Sequence, residues 1–133
     1  TQATVLGFPG ASRWIARSLR LFREAAEQHL DTVIETHPHG VFMELARENG
    51  RAGPLPKKAT SQGRARRIEL LQQWIPGLHA DMLPGHDAVD AAAAALLAAL
   101  YHLGRAAGYG TATDGGTIWL PSSRPPSPGA HDR

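Results

Sequence analysis

The chain contains no cysteine, which excludes disulfides, zinc–thiolate centres and cysteine nucleophiles. Aromatic residues are scarce: three Trp, two Tyr and three Phe stand in 133 residues. Much of the 42% hydrophobic fraction is alanine, so the core of what is one domain at most must be modest. Long hydrophobic runs are missing as well. The most apolar stretch, Ala91 to Leu103, is near 13 residues, whereas a bilayer-spanning helix needs about 20. No basic segment followed by an apolar one opens the chain as a secretory leader would. The expectation is a soluble cytoplasmic protein with no membrane partner. No phosphate-binding glycine loop is present, and Gly7-Phe8-Pro9-Gly10 is not a dinucleotide fingerprint. A Gly-x-Ser-x-Gly elbow and a zinc-protease helix are also absent. Charge of one sign is in small excess, a net +2 with His neutral, so what matters is where the charges sit.

What is present reads as helices with few strands. Ala11-Ser12 offers a cap for a helix from Trp14 to about His29, with Arg13, Arg17, Arg20 and Arg23 on its polar face. Thr32-Val33-Ile34-Glu35-Thr36 is the best strand, short and β-branched, and its adjacent apolar residues point to a central, doubly covered position. Pro38 suits the first turn of a helix that stops near Asn49-Gly50. Thr60-Ser61 caps a further helix, roughly Gln62 to Ile75. A long Ala/Leu helix runs from Asp87 to about Ala107, and residues 109–120 read as a terminal hairpin about a glycine-rich turn. The segment 122–133, rich in Ser, Pro and Gly, is expected to be disordered. The domain proper is thus residues 1–121.

Three features carry chemistry. Asp87 and Asp90 open the alanine-rich helix three residues apart. On a helix that spacing puts two like charges on one face, about 5–6 Å apart at Cβ. Their repulsion needs relief, either from the positive N-terminus of the helix or from a divalent cation. Glu35, on the one clear strand, would add a third carboxylate oxygen donor, the kind that Mg²⁺ prefers. Two such ions can activate water and hold the leaving oxygen in phosphodiester hydrolysis.

The second feature is basic. Lys57, Lys58, Arg64, Arg66 and Arg67 fall within a segment of eleven residues that contains no acid. Next to a helix N-terminus such a run is either a solvated loop or a contact for a phosphate backbone. Arg66 and Arg67, being adjacent, cannot both face the core. The third feature is histidine: His37 and His39 flank Pro38, and His86 abuts the acidic pair. These read as surface or supporting residues.

Four blocks occur in a specific order: Ile34-Glu35-Thr36-His37-Pro38-His39; Leu55-Pro56-Lys57-Lys58-Ala59-Thr60 with Gly63-Arg64-Ala65-Arg66-Arg67; His86-Asp87-Ala88-Val89-Asp90-Ala91; and Ile118-Trp119-Leu120-Pro121. Together they resemble the DUF429 family, a predicted RNase H-like nuclease group related to RuvC and YqgF. The resemblance spans roughly residues 30–121 and the C-terminal portion of such a protein only. It implies an α/β architecture, the C-terminal part of an RNase H-like fold, helix-rich with few strands. Glu35, Asp87 and Asp90 would then be catalytic and would ligate Mg²⁺ or Mn²⁺. The first-strand aspartate of RNase H-like nucleases has no counterpart here; the acids before Glu35 are Glu24, Glu27 and Asp31.

The expectations are therefore two. One is a divalent-metal-dependent nuclease acting on structured nucleic acid, incomplete in this chain, with Lys57, Lys58, Arg64, Arg66 and Arg67 on the phosphates. The other is a non-catalytic module that binds nucleic acid or a protein partner beside a degenerate acidic site. A partial sheet would also carry free edges, which are templates for association.

Overall fold

The computed structural model describes residues 33–111, 113 and 115–123, together with 16, 17, 20, 21, 23–25, 27 and 28. Two compact units divide the chain, Thr1–Val33 and Ile34–Arg133. In the first unit the described residues from 16 to 27 are helical. Arg20 pairs with Glu24 at 3.4 Å and Arg23 with Glu27 at 3.8 Å, both one helical turn apart and exposed. Such pairs contribute a few tenths of a kcal/mol each. The rest of the helix expected at 14–29, Thr32 and the tail from 124 onward lie outside the described residues, whereas Val33 and Ile34, expected within the strand 32–36, are not part of it.

The second unit begins with a two-residue strand, β1 (Glu35–Thr36). The strand is short because Pro38 follows it, with φ fixed and no N–H to continue a ladder. Pro38 instead opens α1 (Pro38–Glu48), whose cap is His37: Nδ1 accepts a hydrogen bond from the Gly40 amide at 3.3 Å. The next helix, α2 (Ser61–Gln72), is capped by Thr60, whose hydroxyl accepts from the Gly63 amide at 3.0 Å. A short 3₁₀ turn (Ala80–Met82) leads to α3 (His86–His102). Strands β2 (Ala106–Tyr109) and β3 (Ile118–Pro121) complete the order. This is the α/β, helix-rich, few-stranded architecture expected.

Two details differ from expectation. The long helix ends at His102 rather than Ala107, because Gly104 adopts φ +69°. The Gly104 amide then donates to the Tyr101 carbonyl at 3.0 Å and the Arg105 amide to the Leu100 carbonyl at 2.7 Å. That pair of bonds is a Schellman cap, which closes a helix on a left-handed residue. Ala106 and Ala107 are thereby released into β2, and the hairpin starts earlier than residue 109. Second, the strand order is β1-β3-β2, so among the described residues β3 occupies the middle and β1 an outer position. β1 runs parallel to β3 with Glu35 opposite Ile118, and β2 runs antiparallel with Tyr109 opposite Ile118.

The core lies between the helices. Val41, Phe42, Leu45 and Ala46 of α1 meet Ile68, Leu70 and Leu71 of α2 and Val89, Ala93, Leu96, Leu97 and Leu100 of α3. The α3 stripe recurs at the spacing of one helical face. Each large side chain so buried contributes about 1.5–3 kcal/mol. The sheet is tied on by Tyr101 of α3, edge-on to Trp119 of β3 with ring centroids 4.7 Å apart. The Thr36 hydroxyl donates to the Trp119 carbonyl at 3.0 Å. No helix among the described residues is long and apolar enough to cross a membrane.

Candidate functional site

Beyond the carboxyl end of β1 lies a cleft of about 580 Å³, lined by His37, Pro38, His39, Lys57, Lys58, Ala59, Arg67 and Asp90. Four parts of the fold supply it: the β1–α1 junction, the α1–α2 loop, the middle of α2 and the second turn of α3. Three cations face one carboxylate.

Arg67 forms the base of the site. It is only 3% exposed. One guanidinium nitrogen donates to the carbonyls of Pro56 and Gly63, both at 2.9 Å, and the other lies 3.4 Å from His39 Nδ1. Arginine has donors only, so Nδ1 of His39 is the acceptor in that contact. The guanidinium carbon also sits 5.5 Å from the centroid of the Phe42 ring. Among the described residues Arg67 forms no ion pair with a carboxylate. Its charge is met by carbonyl dipoles, an imidazole and a ring face.

The two lysines are placed by a tight turn. The Thr60 amide and hydroxyl both donate to the Lys57 carbonyl, at 3.0 and 2.7 Å. That carbonyl rests against Gly63: a Cβ at Gly63 would stand 1.9 Å from the Lys57 oxygen and 3.0 Å from that of Pro56. Only a residue without a side chain permits this approach. Lys58 reaches across to Asp90, Nζ to Oδ2 at 3.0 Å. Lys57 is exposed and pairs with no carboxylate among the described residues.

The other sequence candidates are placed elsewhere. Arg64 ties α2 to the turn before α3, donating to the carbonyls of Ala80, at 3.3 Å, and Leu83. Its Nε is buried without a hydrogen-bond partner among the described residues. Arg66 pairs with Glu69 at 3.0 Å, in a separate groove shared with Arg51. Asp87 points to water, its side chain 93% exposed, with His86 Nε2 at 3.2 Å. Glu35 is exposed beside the β2–β3 loop, where a Cβ at Gly116 would lie 3.9 Å from its Oε2. The basic run thus splits, with Lys57, Lys58 and Arg67 in the cleft and Arg64 and Arg66 outside it.

The repulsion between Asp87 and Asp90 is relieved separately for each. Helix α3 starts at His86, so Asp87 is in the first turn, where the N-terminus favours a carboxylate. Asp90 falls a turn further in and is neutralised by Lys58. Among the described residues no group of three or more His, Asp or Glu side chains is placed to hold a metal ion. The three carboxylates have different surroundings: Asp90 is paired with an ammonium, Asp87 faces solvent on the same helix, and Glu35 stands on β1 beside the β2–β3 loop. His37 and His39, read from the sequence as supporting residues, line the cleft. Their one sequence signal was position, either side of the proline that ends β1.

The family described as "Protein of unknown function (DUF429)" matches residues 2–114 of the chain. No curated protein and no solved structure matches it.

Proposed function

This chain belongs to the DUF429 family, and we propose that it binds the phosphate backbone of nucleic acid through the cleft formed by His37, His39, Lys57, Lys58 and Arg67. The observation that carries this reading is Arg67, a guanidinium 3% exposed with no carboxylate paired to it among the described residues, at the base of an open cleft beside two lysines. Taking an ion out of water costs several kcal/mol unless opposite charge compensates. Carbonyl dipoles compensate in part, and an anion in the cleft supplies the remainder. Arg67 lends its charge from the base of the cleft, with one guanidinium nitrogen engaged by the Pro56 and Gly63 carbonyls, and the lysines add point charges at the surface. Contacts of this kind hold a backbone without reading its sequence. A cytoplasmic setting accords with such a partner.

The role is binding, as a non-catalytic module. Glu35, Asp87 and Asp90 do not form one carboxylate cluster, so no hydrolytic step is assigned to them. The test is fluorescence anisotropy of a labelled single-stranded oligonucleotide at about 50 mM salt, where phosphate contacts are strongest. Lys57→Ala is expected to weaken binding about tenfold, the scale of one charge-assisted contact. Arg51→Ala removes a cation outside the cleft and is expected to change little. Equal losses in the two variants would mean diffuse surface attraction and would refute a cleft.

A further inference from the structure

Asp90 is the one acid among the residues that line the cleft, and it sits on a cation the ligand would need. Its Oδ2 lies 3.0 Å from Lys58 Nζ, with the carboxylate side chain 23% exposed and the lysine 54%. The contact bridges the α1–α2 loop and α3, 32 positions apart in sequence, so it follows from the packing of the helices and not from local spacing. A carboxylate oxygen at hydrogen-bond distance from an ammonium occupies the place that a phosphate oxygen would take there.

Resting on the proposed phosphate cleft, we infer that Asp90 is its internal counter-anion, a carboxylate that competes with the ligand for Lys58 and so sets which anions bind. A small anion that reaches only Lys58 has to displace Asp90 and gains one contact for one lost. A chain of phosphates also meets Lys57 and Arg67, and its added contacts outweigh the displaced pair. Asp90 therefore biases the cleft toward polyanions over isolated phosphate. Asp87, one turn earlier, carries the same charge but points to water at 93% exposure, and has no such effect.

Two probes test this on the full chain: inorganic phosphate by calorimetry, and a single-stranded oligonucleotide by anisotropy over a range of salt. Asp90→Asn is expected to bind both more tightly, inorganic phosphate by the larger factor, so that the preference for the oligonucleotide falls; equal gains would overturn the bias. Its plot of log affinity against log salt should steepen by about 0.7, the increment for one more neutralised phosphate on a single strand. Asp90→Ser is measured alongside, so that a folding defect in one variant does not decide the result. Asp87→Asn should match the unmodified chain. Unchanged or weaker binding by both Asp90 variants, while Lys57→Ala still weakens binding, overturns the role of Asp90 and leaves the cleft intact. A gain in Asp87→Asn equal to that in Asp90→Asn also overturns it. Should Lys57→Ala bind as tightly as the unmodified chain, the cleft itself fails, and the role of Asp90 with it.

Discussion

Arg67 and Gly63 do more to shape the cleft than the lysines that face solvent in it. Arg67 fastens the Pro56 carbonyl to α2 and brings a charge inside the protein, while Gly63 lets the Lys57 carbonyl lie flat on the helix. Arg67→Lys keeps the charge and loses the fork. Leaving the Pro56 and Gly63 carbonyls short of donors should destabilise the chain by about 1–3 kcal/mol, read as a lower urea midpoint with an unchanged slope. A midpoint equal to that of the unmodified chain would mean that those bonds contribute nothing. Gly63→Ala should do comparable harm, about 1–3 kcal/mol of overpacking, because the added carbon meets backbone 1.9 Å away. It should also weaken oligonucleotide binding by moving Lys57, and a variant that melts and binds normally would show that the turn has slack.

Among the elements, the α1–α2 loop and the first turn of α2 act as one unit. Thr60 caps the helix and also holds the Lys57 carbonyl. Thr60→Ala should cost about 1 kcal/mol as a lost cap, and in addition it should reduce binding through the freed turn. Thermal melting and anisotropy on the same sample separate the two effects; lost stability with unchanged affinity would uncouple the loop from the cleft. This is also the scale at which the sequence was informative. The Thr60 cap, the Pro38 start and the apolar stripes of α1 to α3 are local signals, and each appears where local chemistry put it. The basic run is divided because a helix turns about 100° per residue. Arg64, Arg66 and Arg67 therefore diverge to the 80–83 turn, to Glu69 and to the interior. Gly104 was a local signal too, but the alanines on either side of it masked the stop. The partner of Asp90 was beyond reach of pattern, since Lys58 approaches it only after three helices have packed.

For the molecule as a whole, the α/β architecture brings positive charge to the carboxyl end of β1 and leaves the three carboxylates in separate surroundings. Mn²⁺ at millimolar concentration should therefore leave the melting temperature of this chain unchanged, whereas an oligonucleotide should raise it, since a ligand that prefers the folded state stabilises it. A rise with Mn²⁺ that Asp90→Asn abolishes would restore the acids to a metal site. The most direct measurement is an amide NMR titration of the chain with a short single-stranded oligonucleotide. The account predicts shifts concentrated at His37, His39, Lys57, Lys58, Ala59 and Arg67, fading as salt is added. Shifts that bypass these residues and gather around Arg51, Arg66 and Glu69 would contradict it.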